Sequence, residues 1–459
     1  MEAEIAELFD LADSLAVRAN TFRDQFRDLT EAMRTGFDLT PNSVERERLS
    51  EKLAQSLRHL WIDAAVSTTS RDFRSPPTDR KTRTATGRDI QFGYERDLQP
   101  SYLEERCTEF FDSPPEGWSS DHVLLSSGQS AMAAVLHSLE GGALIGSDLG
   151  LSFVHLGAYF ETAEIFSLFS SLLKPVGCGR RAVAAMDELD ADVFIIEPVF
   201  CDGEFGSLDL DRLIAKHKEH ARSRVYIFDT TMTGIASPIE ETLVKMSALN
   251  PPAVFRLLSG LKLHQGGLEL ASVGILSVFT LQGSSITAKE LGDRIRKIRT
   301  LMGMGLSFAD VAVLEAPWFL DREYTRLYQK AVFENNARLA RQVSATNKLF
   351  RGSFHPTLLD EWRGCREAPY CVFRLKNADP HDYDMLEEWI RNAVRERGIL
   401  FEWGGSFGFR GHRFEVVRPG DGSEPFLRVA LGRRPGWSCD QITALICELA
   451  SHQALSSAE

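Results

Sequence analysis

Apolar residues near the N-terminus fall at Ile5, Leu8, Leu11, Leu15, Phe22, Phe26, Leu29 and Met33, a mostly three-and-four spacing that predicts one helix over residues 2–36. Thr40-Pro41 starts a second helix that runs to about Ala65, because proline suits the first helical turn and threonine can cap it. The polar face of this pair is mixed or acidic, not basic, so the helices are expected to pack on the main body or on a partner subunit, not on a membrane surface. From Ser67 to about Asp89 the pattern gives way to a polar loop or arm with Pro76-Pro77 and a run of Arg80, Lys81, Arg83 and Arg88. Such a run fits either a solvated surface or a loop that meets a phosphate or an acidic neighbour.

After an amphipathic helix from about Tyr102, short apolar runs alternate with helical patterns. Val123-Leu124-Leu125, Leu144-Ile145-Gly146-Ser147, Val193 to Val199 and Val225 to Phe228 read as strands. Helices are predicted beyond Gly128, from Tyr159 past Phe169, and from about Asp209. This alternation implies an α/β fold with a mainly parallel sheet covered on both faces, where ligands gather beyond the carboxyl ends of the strands. Ser127, Cys201 and Asp229 fall at such ends, and Lys262 lies in the loop before the apolar run Ala271 to Leu276.

Composition narrows the classes. With 459 residues, 43% hydrophobic and 25% charged, the chain can bury two or three domains' worth of core and is not disordered throughout. A net charge of -13 argues against a nucleic-acid binder or a partner of anionic membranes. The N-terminus lacks the basic start of a signal peptide and no apolar stretch reaches membrane-spanning length, so a cytoplasmic location is expected by default. Cys107, Cys178, Cys201, Cys365, Cys371, Cys439 and Cys447 show neither Cys-x-x-Cys spacing nor a histidine in step, so no metal site and no disulfide framework is expected.

Candidate chemistry centres on Arg256 to Gly267, where Lys262 stands between small and apolar residues ahead of a glycine pair. A lysine in apolar surroundings can lose its proton near neutral pH and condense with an aldehyde, which makes Lys262 a candidate pyridoxal phosphate anchor; a turn with a solvated lysine fits the same string. Asp229, ending an apolar strand, could hold a protonated ring nitrogen or serve as a turn or cap carboxylate. Ser127-Gly128-Gln129 opens a helix whose freed N–H groups could bind an anion, or it is a plain strand-turn-helix connection. Tyr94 and Arg96, two residues apart, would face the same way in an extended segment and could converge on one phosphate.

In this order the motifs resemble the cystathionine gamma-synthase-like family of pyridoxal phosphate enzymes, also called the Cys/Met-metabolism family, over roughly residues 90 to 450. Tyr94 and Arg96 look like its Tyr-x-Arg, which binds the cofactor phosphate of a neighbouring subunit. Ser127-Gly128-Gln129 is similar to its Ser-Gly-Met phosphate turn, and Tyr159-Phe160-Glu161-Thr162 to its Tyr-Gly-Gly-Thr, whose tyrosine stacks on the cofactor ring. Asp229 matches the ring-nitrogen aspartate, with Thr231 beside it among the cofactor contacts, Ser259 the phosphate-binding serine and Lys262 the Schiff-base lysine. Gly404 to Gly408 resembles the loop whose serine, here Ser406, lies beside the substrate carboxylate, and Leu427 to Gly432 the strand whose arginine, here Arg428, binds that carboxylate.

The resemblance implies a fold type I pyridoxal phosphate-dependent transferase-like architecture: a mainly parallel seven-stranded sheet in a large domain over residues 90–312 and a smaller α/β domain over 313–459. Residues 1–89 form an unmatched helical extension and arm. It also implies a homodimer or homotetramer with shared sites, and γ-elimination or γ-replacement on a γ-substituted L-amino acid through a vinylglycine-type quinonoid intermediate. In that scheme Lys262 is the mobile base, Asp229 holds the ring proton and Tyr159 is the proton donor. β-Elimination on a cysteine- or cystathionine-like substrate, transamination, and a cofactor-binding protein without activity are the alternatives. Three departures point to an unusual substrate: Phe160 and Glu161 replace two glycines, Leu261 replaces a threonine, and Cys201 or Asp202 stands in place of an asparagine.

Overall fold

A computed structural model of the chain describes residues 1–19, 22–40, 42–67, 81–139, 144, 151–169, 173–178, 189–200, 203–219, 222–237, 239–345, 347–359, 365–376, 379–419 and 424–453. The N-terminal pattern forms α1 (Glu2–Arg18), α2 (Arg23–Leu39) and α3 (Ser43–Ser67), so the single helix expected over 2–36 is two. Ala19 leaves helical geometry (φ -89, ψ 78), and the fold-back brings Phe9 edge-on to Phe37 with ring centroids 5.8 Å apart. Burying two helical faces against each other outweighs continuing α1 past Ala19 as one long helix.

These helices pack on the chain's own body. Leu8, Leu15, Phe26, Leu57 and Trp61 share one buried cluster with Leu103, Phe110, Val273 and Phe319. Ionic contacts reinforce the seam: buried Glu4 receives Arg410 at 2.7 Å and Arg433 at 2.8 Å, Glu7 pairs with the same two arginines, and Glu51 pairs with Arg434. Pro76-Pro77 and Arg80 of the basic arm lie outside the described residues. Its end forms the antiparallel pair β1 (Thr82–Arg83) and β2 (Asp89–Ile90). Arg88 meets an acidic neighbour, Glu315, at 3.1 Å and covers the Tyr102 ring, while Arg83 stays exposed and pairs with Asp89.

The main sheet follows α4 (Ser101–Phe110) and interleaves β3 (Trp118–Leu125), α5 (Gly128–Leu139), β4 (Leu151–Leu156), α6 (Phe160–Leu168), β5 (Leu173–Cys178), β6 (Val193–Ile196), α7 (Leu210–Lys218), β7 (Val225–Asp229), α8 (Ile239–Met246), β8 (Val254–Ser259), α9 (Gly260–Leu263), β9 (Gly274–Leu281) and α10 (Ala288–Met302). Its seven strands run in the order β3-β9-β8-β7-β6-β4-β5. β9 is antiparallel to both neighbours and the other pairs are parallel, so the carboxyl ends of β3, β8, β7, β6 and β4 share one edge. One face is covered by α5 and α10 through Leu136, Ile195, Leu291 and Ile295, the other by α7 and α8 through Phe194, Leu213, Tyr226 and Leu243. Continuous apolar strands such as Val193–Ile196, buried throughout, are what a two-sided cover requires.

The expected strand at Leu144 to Ser147 falls largely outside the described residues; the described strand begins at Leu151. β8 carries Arg256 in its middle, which hides it as a strand in the sequence. The guanidinium is buried over the Phe111 ring at 3.6 Å and donates to Ser277 Oγ at 3.0 Å. After α11 (Phe308–Val313) and α12 (Arg322–Ser344), a second sheet of β10 (Phe350–Phe354), β11 (Cys371–Leu375), β12 (Phe401–Trp403), β13 (His412–Val417) and β14 (Phe426–Ala430) is ordered β10-β11-β14-β13-β12. Its own core forms against α12, α13 (Pro380–Arg397) and α14 (Trp437–Ser451) through Leu339, Phe373, Ile390, Leu427 and Ile446. Among the described residues no helix is long and apolar enough to cross a membrane.

Candidate active site

The carboxyl edge of the main sheet gathers most of the candidate residues. Asp229 ends β7, and its carboxyl accepts the Thr231 backbone N–H at 2.9 Å. The Thr231 hydroxyl accepts the Ser259 N–H at 3.0 Å, which ties the end of β7 to the end of β8. Ser259 faces the start of α5: a Cβ on Gly128 would lie 3.4 Å from the Ser259 Cβ. Gly274 closes this corner because β9 starts between the ends of β3 and β8, and a Cβ there would sit 2.0 Å from the Ser127 carbonyl oxygen. The result is a small-residue cup at a helix N-terminus, with hydroxyls from Ser127, Ser130, Thr231 and Ser259 nearby. The Ser127 hydroxyl itself caps α5 by accepting the Ser130 N–H at 3.0 Å.

Lys262 sits on the short helix α9, one turn beyond Ser259, and not in the loop expected. Its Nζ donates to Ser406 Oγ at 2.6 Å, across the gap to the second sheet's loop. Burial first, then the positive charge of Arg428, depresses the Lys262 proton affinity, against the pull of Glu161 and Glu269. Ser406 adopts the left-handed backbone region (φ 76), unusual for a residue with a side chain and tolerated where the surrounding loop over-determines it. The Tyr328 hydroxyl holds that loop by donating to the Gly408 carbonyl at 3.0 Å.

Tyr159 caps α6, and its hydroxyl donates to Glu161 Oε2 at 2.6 Å. Gln129 Nε2 donates to the same oxygen at 2.6 Å, so the Gln129 side chain points to Glu161. Beneath them lies Glu197, missed as a functional candidate although, like Asp229, it is a carboxylate at the end of an apolar strand. His155 Nε2 lies 2.8 Å from Glu197 Oε1, and the N–H groups of Tyr159 and Ala158 donate to the carboxylate at 2.9 and 3.1 Å. Burial pushes the Glu197 carboxyl up, but these hydrogen bonds and His155 bring it below its ordinary value. The Glu197 charge then adds to burial in raising Asp229 to about 6, against the hydrogen bonds from Thr231.

Arg428, on β14, is half-buried and pairs with Glu415 on β13, a partner that only strand register could reveal. Tyr94 and Arg96 do not join this cluster. Tyr94 is extended but Arg96 falls in the helical turn Glu95–Asp97, Tyr94 is 59% exposed, and the Arg96 guanidinium lies 5.6 Å from the Tyr94 ring centre. Cys201 and Asp202 lie outside the described residues.

The residues present fit pyridoxal 5'-phosphate. The cup at Gly128 offers N–H and hydroxyl donors without bulk, which suits a phosphate. Asp229 is a carboxyl raised by burial and by the Glu197 charge, and a protonated ring nitrogen would offset both. Lys262 is an amine with weakened hold on its proton.

No known family model matches the chain, and no curated protein matches it in sequence. Solved structures do. The chain is similar to cystathionine gamma-lyase from yeast at 15% identity, TM-score 0.59, over 87% of this chain and 98% of that one. It is similar to CalE6, a methionine gamma lyase from Micromonospora echinospora, at 15% identity, TM-score 0.58, over 86% and 98%. MetB from Corynebacterium glutamicum is matched at 13% identity, TM-score 0.59, over 85% and 92%. At such identities the likeness speaks to the fold, and the chain has the fold type I architecture that its motifs led us to expect.

Proposed function

We propose that the chain is a pyridoxal 5'-phosphate-dependent enzyme that acts on a γ-substituted L-amino acid by γ-elimination or γ-replacement. The observation that carries this reading is the placement of Lys262, an amine with a weakened hold on its proton whose Nζ lies 2.6 Å from Ser406 Oγ, one turn beyond Ser259 of the Gly128 cup and at the same sheet edge as the raised Asp229. The solved structures of similar fold, described as gamma-lyases and as MetB, support the reaction class.

When bound, the cofactor supplies an aldehyde that takes an amine and a ring that accepts electrons from the α carbon. Gly128, Ser127 and Ser259 would hold its phosphate, and Asp229 would keep a proton on its ring nitrogen. Arg428 orients the substrate carboxylate, with Ser406 beside it, so that the bond to be broken at the α carbon stands in the reactive direction. The Lys262 amine would take the α proton, hand it on to the bound cofactor and, neutral again, take a β proton. The Tyr159 hydroxyl gives a proton to the leaving group at the γ carbon.

Tyr94 and Arg96 would reach the phosphate of a neighbouring subunit, which makes the active unit at least a dimer; their exposure in the single chain supports this. Glu161 and Phe160, in place of small residues, support a substrate other than the ordinary sulfur amino acids. Borohydride reduction followed by peptide mass mapping tests the proposal: the cofactor mass is expected on the peptide containing Lys262. Its appearance on another lysine, or no visible absorption from the reconstituted protein, overturns the assignment.

A further inference from the structure

We infer that Glu161 makes this site select amino acids whose side chain carries a positive charge. The inference rests on the proposed function above and names the substrate class for it. The acidic groups around Lys262 differ in their partners. Glu415 is paired with Arg428, and Glu269 receives Arg413 at 3.1 Å. Glu161 hydrogen-bonds two neutral groups, the Tyr159 hydroxyl and the Gln129 amide, both at 2.6 Å. The cation whose protonation Glu161 favours is Lys262.

Lys262 is a poor permanent partner. Burial and Arg428 weaken its charge, and an amine that does chemistry with a carbonyl is neutral or covalently engaged while it does so. At that stage the Glu161 carboxylate faces the site without a counter-charge among the described residues. A neutral side chain placed against it strips water from a carboxylate and returns nothing, whereas a cation gains an ion pair. The two hydrogen bonds fix the carboxylate, so the charge is already in position when the ligand arrives. Tyr159 is tied to the same oxygen, which puts the selecting charge next to the group proposed to protonate the departing atom.

The probes are L-methionine and S-methyl-L-methionine, which differ by one methyl group and one positive charge. Each is mixed rapidly with the cofactor-loaded protein at a series of concentrations, with binding read from the first fast change in its visible absorption, before turnover. The sulfonium compound is expected to bind about tenfold more tightly. Glu161→Gln should abolish that preference, and Glu161→Asp, which keeps the charge, should retain it. Equal response to both probes, response to neither, or an undiminished preference in Glu161→Gln overturns the inference. Borohydride labelling of Lys262 is followed in the same samples: loss of the label in the parent is failure of the proposed function, whereas a labelled parent that does not discriminate the pair is failure of this inference only.

Discussion

Arg428 on β14 and Glu415 on β13 stand opposite each other in the antiparallel register, and the Arg428 guanidinium donates through Nη2 to the Glu415 carboxylate. An arginine placed to hold a ligand carboxylate thus already has an internal one. A guanidinium carries five N–H donors, so one occupied donor leaves a two-pronged edge for a ligand, but the Glu415 charge opposes a second carboxylate.

Arg428→Lys keeps the charge and loses the fork, so amino-acid affinity and turnover should both fall, by roughly 2–3 kcal/mol in kcat/KM, with the cofactor spectrum unchanged. Glu415→Gln removes the competing charge and should tighten amino-acid binding several-fold. Normal turnover by Arg428→Lys, or loss of cofactor from it, would show that the arginine serves only the Glu415 pair.

Asp229 gives a pH signature. Its folded value of about 6 lies above the ordinary 3.8, chiefly through burial and then Glu197, so the charged form destabilises the fold. The penalty is absent below the ordinary value and complete above the folded one, so stability from this group is lost as pH rises between them. Cofactor-free Asp229→Asn should therefore be more stable than cofactor-free parent at about pH 8, by roughly 1–3 kcal/mol, with the gap narrowing towards about pH 5. Urea unfolding at the two pH values measures it.

Gly157 packs against the paired His155 and Glu197 at the base of the site. A Cβ there would lie 2.5 Å from the Glu197 carboxyl carbon and 2.6 Å from His155 Nε2. Gly157→Ala should cost about 2–4 kcal/mol and displace the backbone that holds Tyr159, visible as a lowered Tm together with weakened cofactor binding.

The N-terminal seam should be acid-sensitive. Burial would raise the Glu4 carboxyl, but Arg410, Arg433 and Arg434 hold it below its ordinary 4.5. Its stabilisation is complete above 4.5 and lost as pH falls through the lower folded value. Glu4→Gln leaves buried arginines short of a partner and should cost about 3–5 kcal/mol near neutrality, with a flatter acid limb in thermal unfolding.

The dimer proposal is tested by mixing. Arg96→Ala and Lys262→Ala chains are each expected to be inactive, and one of the two hybrid sites in a mixed dimer would hold both residues intact. Recovery of activity on mixing supports a site shared between subunits. Absence of recovery despite measured subunit exchange means that each site is built from one chain.

Local pattern carried much of this protein. Apolar runs ending in Ser127 and Asp229 announced buried strands with polar ends, since a two-sided cover forces continuous hydrophobicity and the carboxyl edge is where polar groups can be used. Lys262 stood out because its neighbours are small and apolar, which is the burial that lowers its proton affinity. β8 escaped notice because buried Arg256 is satisfied by the Phe111 ring and Ser277, partners distant in sequence. The break between α1 and α2 was hidden for a similar reason: helical spacing continues across it, and only packing decides that two short faces bury more than one long one. The pairings that tune the site, Glu415 with Arg428, Glu197 with His155 and Ser406 with Lys262, join residues 13, 42 and 144 positions apart. Strand register and the approach of two sheets set those distances, and neither is a property of any single stretch of chain.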